Sequence, residues 1–263
     1  MVHRLSLVCC PLTIARINEA GEIVASSIGS GFLWRHEERC YLITNWHNVT
    51  GINPDSGKMH GSFIPNVLLV TVKDIVSHAG ETSEVRNLVV PVSLYMDFGG
   101  APKWLEHPRR GEVDCVAVPI EFPHEHTKSY AIQDCGLETD LRPEVGIDCF
   151  VVGYPRGMEG PRKTPIWKRG TIATEPEAGI DGKPMLLIDT ATRKGMSGSP
   201  VIYRHHGYQD DGFTIGKNQG LLGIYSGRIG EDEIGVQLGR VWRANAIDEL
   251  MASGVQGIDP MEQ

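Results

Sequence analysis

No block of lysine or arginine interrupts this sequence, and its net charge is −8. That balance argues against nucleic acid or an anionic membrane as the main partner. There is no CxxC pair, so a zinc site built from cysteines is not expected. No segment is long and apolar enough to cross a membrane. The apolar stretch LSLVCCPLTIA after Arg4 has roughly the length of a signal-peptide core. Pro11 interrupts it and no small-residue cleavage site follows before Arg16, so it reads as a first strand. Helical periodicity is missing from almost the whole chain.

Glycine and proline are plentiful instead, 31 and 16 respectively, and they punctuate short apolar runs. Such runs include LTIARI, SGFLW, CYLITNW, NVLLVTV, VVPVSLYM, CVAVPI, DCFVVGY, KRGTIAT, MLLIDTA, SPVIYR and GLLGIYS, the pattern of many strands joined by turns. Only Val241 to Met251 repeats apolar residues at helical spacing, which predicts one C-terminal helix. The polar stretch between Glu121 and Pro143 divides two strand-rich halves. We therefore expect one unit over residues 1–122, a linker over 123–142 and a second unit over 143–263. Of the six cysteines, Cys9 and Cys10 are adjacent, and Cys115 and Cys149 sit inside apolar runs. Cysteines so placed read as small apolar core residues, which implies a reducing, cytoplasmic setting.

Three segments carry candidate chemistry. In Gly195-Met196-Ser197-Gly198-Ser199-Pro200, glycines flank a serine and let adjacent backbone N–H groups converge on one point. The N–H groups of Gly195 and Ser197 would then form an anion-stabilising hole beside a nucleophile. Taken alone, the segment reads equally as a Gly/Ser-rich hairpin turn. Leu42-Ile43-Thr44-Asn45-Trp46-His47 reads as an apolar strand ending in histidine, one of 10 in the chain. A rigid strand end can hold an imidazole at a fixed distance from a nucleophile. In Glu112-Val113-Asp114-Cys115-Val116, an aspartate opens an apolar strand and needs a hydrogen-bond partner when buried. It is either a turn aspartate or the orienting partner of His47.

Together the segments resemble those of chymotrypsin-like serine peptidases. TNWH is similar to their T-A-x-H segment, DCVAV to their D-[IV]-A-[LV] strand, and GMSGSP to their G-D-S-G-G-P loop, in the same His, Asp, Ser order. VGYPRG and KRGTIA resemble the opening strands of the second barrel in bacterial trypsin-like peptidases. GLLGIYSG resembles the substrate-edge strand and GVQLGRV the pocket strand, so the likeness runs over roughly residues 10–252. It implies an all-β fold of two antiparallel six-stranded β-barrels with a C-terminal helix. It also implies peptide-bond hydrolysis by a His47, Asp114, Ser197 triad with no metal or organic cofactor, and a protein or peptide substrate bound in extended form along Tyr225 to Gly227.

The chain also departs from that pattern. Met196 stands where members activated by cleavage carry an aspartate for their new N-terminus, so the loop is expected to form without such cleavage. The family's disulfides have no counterparts at matching positions. The substrate pocket is expected at Ala191, Thr192, Tyr225, Ser226, Gly227, Arg228 and Gly235. Its floor, Ala191, is not acidic, although Asp189 lies two residues before it. Arg228, or Glu231, Asp232 and Glu233, would add charge, and a small or apolar residue before the scissile bond is the leading expectation. HPRRGEVD and SHAGETSEVR are read as inserted loops. Two other functions remain open: a silent barrel used for binding or regulation, and a peptidase switched on by a separate regulatory protein.

Overall fold

The computed structural model describes residues 2–262 apart from 78–82, 98–99, 125, 139–141, 210–211 and 230–236. In the first half lie β1 (Cys9–Ile17), β2 (Ile23–His36), β3 (Arg39–Thr44), β4 (Val67–Ser77), β5 (Ser83–Ser93), β6 (Leu105–Glu106) and β7 (Val116–Pro119). The second half supplies β8 (Asp148–Gly153), β9 (Ile166–Ile172), β10 (Met185–Asp189), β11 (Pro200–Gln209), β12 (Gly212–Arg228), β13 (Leu238–Arg243) and β14 (Val255–Gln256). Three α-helices complete the described structure: α1 (Leu5–Val8), α2 (Trp46–Thr50) and α3 (Ala244–Ser253).

Strands β8 to β13 close into a six-stranded antiparallel barrel in the order β10-β13-β12-β11-β8-β9. The first half forms an eight-stranded antiparallel sheet in the order β14-β6-β7-β3-β2-β1-β4-β5. It exceeds six strands because β6 and the returning chain end, β14, add to its edge. Pro11 is tolerated because it precedes the stretch of β1 that pairs with β4, and Pro91 lies on the edge strand β5.

Side chains alternate across a strand, and here both faces of the central strands are buried. Cys10, Leu12, Leu33, Leu42, Val116 and Val118 pack inside the first sheet. Their neighbours Cys9, Phe32, Ile43, Cys115 and Ala117 face the second half and α3, meeting Val152, Ile202, Ile224, Ile247 and Leu250. That double burial explains the near-continuous apolar runs CYLIT and CVAV. A third cluster, including Val151, Ile188, Met196, Val201 and Val241, fills the closed barrel. All six cysteines are free. Burial pushes the thiols of Cys10, Cys135 and Cys149 up to about 12.

Several local expectations shift. Leu5–Val8 makes one helical turn before β1 begins. The C-terminal helix starts at Ala244, later than its periodicity predicts, because Val241 and Trp242 are held in β13 by Leu186 and Met185 of β10. Of SHAGETSEVR, the described residues continue β4 and β5 as a paired hairpin, while 78–82 lie outside the described residues. Between β7 and β8 the described residues form no strand, only a 3-10 turn at Ile132–Cys135. No described helix is long and apolar enough to cross a membrane.

Candidate active site

His47 does not end a strand. β3 stops at Thr44, and His47 is the second residue of the single turn α2. Gly51, at φ +71°, closes that turn by donating its N–H to His47 O at 3.0 Å. The turn is held from below. Asn45 Nδ2 donates to Asp114 O at 2.7 Å, and Asn48 Nδ2 donates to Thr44 Oγ1 at 3.0 Å and Ser197 O at 3.3 Å. Trp46, beside the imidazole in sequence, donates its indole N–H to the fully buried Glu106 at 3.1 Å. Glu106 Oε1 also accepts from Trp104 Nε1 at 2.9 Å, and Oε2 accepts from Arg110 at 3.2 Å.

Asp114 is fully buried two residues before β7, and each of its oxygens has a donor. His47 N–H donates to Oδ1 at 3.0 Å. His47 Nδ1 lies 2.8 Å from Oδ2, which also accepts from Ser226 Oγ at 2.5 Å. Burial alone would push the carboxyl pKa up. The adjacent His47, with the hydrogen bonds from His47 and Ser226, outweighs burial and holds it below the ordinary carboxylate value. A carboxylate on Nδ1 fixes the imidazole so that Nε2 faces away from it.

The loop Gly195–Ser199 brings its two serines to different places. Ser199 is fully buried and its hydroxyl has no partner among the described residues, whereas Ser197 lies half-buried at the edge of a cleft. The loop needs its glycines. At Gly195 (φ +92°) a Cβ would stand 2.6 Å from Tyr154 O, and at Gly198 (φ +89°) one would stand 2.0 Å from Ser30 O. The backbone N–H groups of Gly195 and Ser197 have no partner among the described residues.

His47, Gly195 and Ser197 share a cleft of about 640 Å³, also lined by Ser26, Ile28, His60, Phe63 and Lys194. Ser197 and His47 both line this cleft without a hydrogen bond between Ser197 Oγ and the imidazole. His60, which sequence reasoning missed among the histidines, lies with its ring 5.0 Å from that of His47. Partial desolvation in the cleft, together with His47, pushes its pKa down.

The trypsin-like peptidase domain family matches residues 29–207, more than half of the chain. The chain belongs to the trypsin-like peptidase family. Among solved structures it is similar to the active form of the Rv3671c protease from M. tuberculosis. They share 14% identity over 97% of this chain and 85% of that one, with a TM-score of 0.50, a likeness of fold. An inactive-form structure of the same mycobacterial protein, carrying a serine-to-alanine change, aligns at 15% identity over 94% of this chain and 86% of that one, with a TM-score of 0.46. No curated protein matches the sequence.

Within this trypsin-like fold, the expected pocket residues take unequal places. Thr192 and Tyr225 are buried, with their hydroxyls hydrogen-bonded to each other, and the Tyr225 ring fills the space over Gly239. Ser226 turns its hydroxyl to Asp114. Ala191, Gly227 and Arg228 are half-buried, Asp189 is exposed, and Gly235 lies outside the described residues, as do Glu231, Asp232 and Glu233. None of the described ones lines the cleft shared by His47 and Ser197. The expected substrate edge needs one correction. Tyr225 N–H donates to Ser199 O at 2.9 Å, and Tyr225 O accepts from Gly198 N–H at 2.8 Å, so its main chain is occupied by the loop. Ser226 is skipped in the pairing of β12 with β13, where Gly227 faces Arg240, and β11 pairs with β12 only as far as Ile224, so on the β11 side Ser226 and Gly227 have no strand partner among the described residues.

Proposed function

We propose that this trypsin-like peptidase is a serine endopeptidase in which Ser197 is the nucleophile, His47 the general base and Asp114 its orienting partner. The observation that carries the reading is the 2.8 Å contact between the buried Asp114 and Nδ1 of His47, whose side chain lines the cleft that also holds Ser197. Ser197 Oγ attacks the carbonyl carbon of the scissile peptide while its proton passes to His47 Nε2. The Asp114 carboxylate stabilises the imidazolium that results. The negative charge on the former carbonyl oxygen falls to the N–H groups of Gly195 and Ser197, each worth about 10²–10³ in turnover. His47 then gives its proton to the departing amine, the acyl-enzyme forms, and water releases the acid by the reverse sequence.

An extended protein or peptide segment is the substrate this arrangement suits. One side of the scissile bond would lie in the cleft, and the other would run along Ser226 and Gly227 as an added strand. The buried Thr192–Tyr225 pair leaves little depth there, which supports a small residue before the scissile bond. Six free thiols support a reducing, cytoplasmic setting.

The test is labelling of the purified chain with a fluorophosphonate, alongside His47→Ala and Ser197→Ala. Strong labelling of the parent, lost in both variants, is expected. A folded parent that takes up no label overturns the reading and points to a binding module or to a peptidase awaiting a regulatory partner.

A further inference from the structure

Both N–H groups assigned to the oxyanion are parts of peptide planes, and a trans plane points its N–H opposite its C=O. Whatever holds the carbonyls of this loop therefore aims its amides. The Lys194–Gly195 plane is held by Arg156 N–H, which donates to Lys194 O at 2.6 Å. The Met196–Ser197 plane is held by Ser199 N–H, which donates to Met196 O at 3.0 Å. Between them stands the Gly195–Met196 plane, whose carbonyl receives a hydrogen bond from Ser30 Oγ at 2.7 Å.

Ser30 lies on β2, in the other half of the molecule, and is fully buried. Its N–H donates to Ser197 O at 2.8 Å, so one residue grips the loop at two points. Its hydroxyl is itself aimed, because Tyr154 N–H donates to Ser30 Oγ at 3.3 Å and leaves the O–H to reach Gly195. Thr44 Oγ1 holds the Ser30 carbonyl at 2.9 Å. Met196, at the centre of the held segment, is buried in the barrel core and brings no charge that could anchor the loop ionically.

We infer that Ser30 is a positioning residue whose hydroxyl holds the Gly195–Met196 peptide in the orientation that turns both oxyanion donors into the cleft. The inference rests on the proposed catalytic roles of Gly195 and Ser197. Because the hydroxyl comes from the first sheet and its target from the second barrel, the hole forms only when the two halves are docked.

The test compares the parent chain, Ser30→Ala, Ser30→Thr and Ser197→Ala. It measures the pre-steady-state acylation rate and binding constant with p-nitrophenyl acetate, the rate of inactivation by a fluorophosphonate, and the thermal midpoint. Loss of alignment at one or both donors predicts that Ser30→Ala acylates about 10–1,000-fold more slowly. Ester binding should change less than about twofold, and the fluorophosphonate rate should fall by the same factor as acylation. Ser30→Thr, which keeps a hydroxyl, should recover most of the rate. A merely structural role would lower the thermal midpoint without this parallel loss. Should Ser30→Ala fail to fold, Ser30→Cys, a weak donor of similar size, takes its place with an intermediate loss expected. A folded Ser30→Ala, or in its place Ser30→Cys, that acylates within twofold of the parent overturns the inference alone. A parent chain no more reactive than Ser197→Ala overturns the catalytic reading beneath it.

Discussion

Removing the Glu106 side chain should destabilise the chain far more than removing its charged partner. Oε1 accepts hydrogen bonds from the indoles of Trp46 and Trp104, whose side chains are almost wholly buried, while Arg110, on Oε2, is 43% exposed. In Glu106→Ala both indole N–H groups lose their acceptor, at about 1–3 kcal/mol each, with water entering the space able to recover part. A loss of about 4 kcal/mol corresponds to roughly 8–16 °C in thermal midpoint for a chain of this size. Glu106→Gln keeps one acceptor oxygen for the indoles and should cost only about 1–2 kcal/mol. Arg110→Ala takes a 43% exposed cation from a buried carboxylate; water that enters in place of the guanidinium limits the loss, which should be about 1–2 kcal/mol. Differential scanning calorimetry of the three variants gives the order. A Glu106→Ala midpoint within about 2 °C of that of Arg110→Ala would refute the reasoning, since the two changes would then differ by no more than about 1 kcal/mol. Because Trp46 adjoins His47 on α2, fluorophosphonate labelling of Glu106→Ala should fail at lower temperature than in the parent, in step with its midpoint.

Gly198→Ala combines a positive φ with a Cβ placed 2.0 Å from Ser30 O, so the loop must move; labelling of Ser197 should drop at least about tenfold, as expected when an oxyanion donor is displaced. Unchanged labelling would mean that the loop position is not critical. Ser199→Ala removes a buried hydroxyl that has no partner among the described residues, so its thermal midpoint should stay level or rise and labelling should persist; lost labelling would transfer the nucleophile role to Ser199. Asp114 has a depressed folded-state pKa, so its contribution to stability is complete above the unfolded value of about 3.9 and is lost as pH falls through the folded value. Ser226→Ala removes one of the bonds that hold the carboxylate charged. Acid unfolding followed by circular dichroism should therefore begin at higher pH in that variant, and a midpoint unmoved or lower would contradict the assignment.

Strand content was legible because short apolar runs between turn residues leave few alternatives, and nearly every predicted run lies in a strand. The boundaries were less so. Val241 and Trp242 fit a helical repeat equally well, and only pairing with Leu186 and Met185 settles them as strand. His47 was found by its place after an apolar strand, but the helical turn that carries it depends on Asn45 and Asn48 reaching Asp114 and Ser197 across the chain. Ser30 and Glu106 gave no chemical signal in sequence. A serine between glycines and a glutamate near two tryptophans acquire their roles only through partners that folding brings to them.

The amino-acid order by itself determined the strand-rich architecture and the family, and it pointed to His47, Asp114 and Ser197 as candidates for the chemistry. Those follow from local periodicity and short motifs, which need no knowledge of distant contacts. Tertiary structure alone decided which serine of Gly195–Ser199 meets the cleft, that the Tyr225 main chain serves the loop, and that Ser30 grips that loop from the opposite sheet. Each of these depends on hydrogen-bonding groups meeting across the interface of two separately paired sheets, a relation that neighbouring residues in a sequence do not encode.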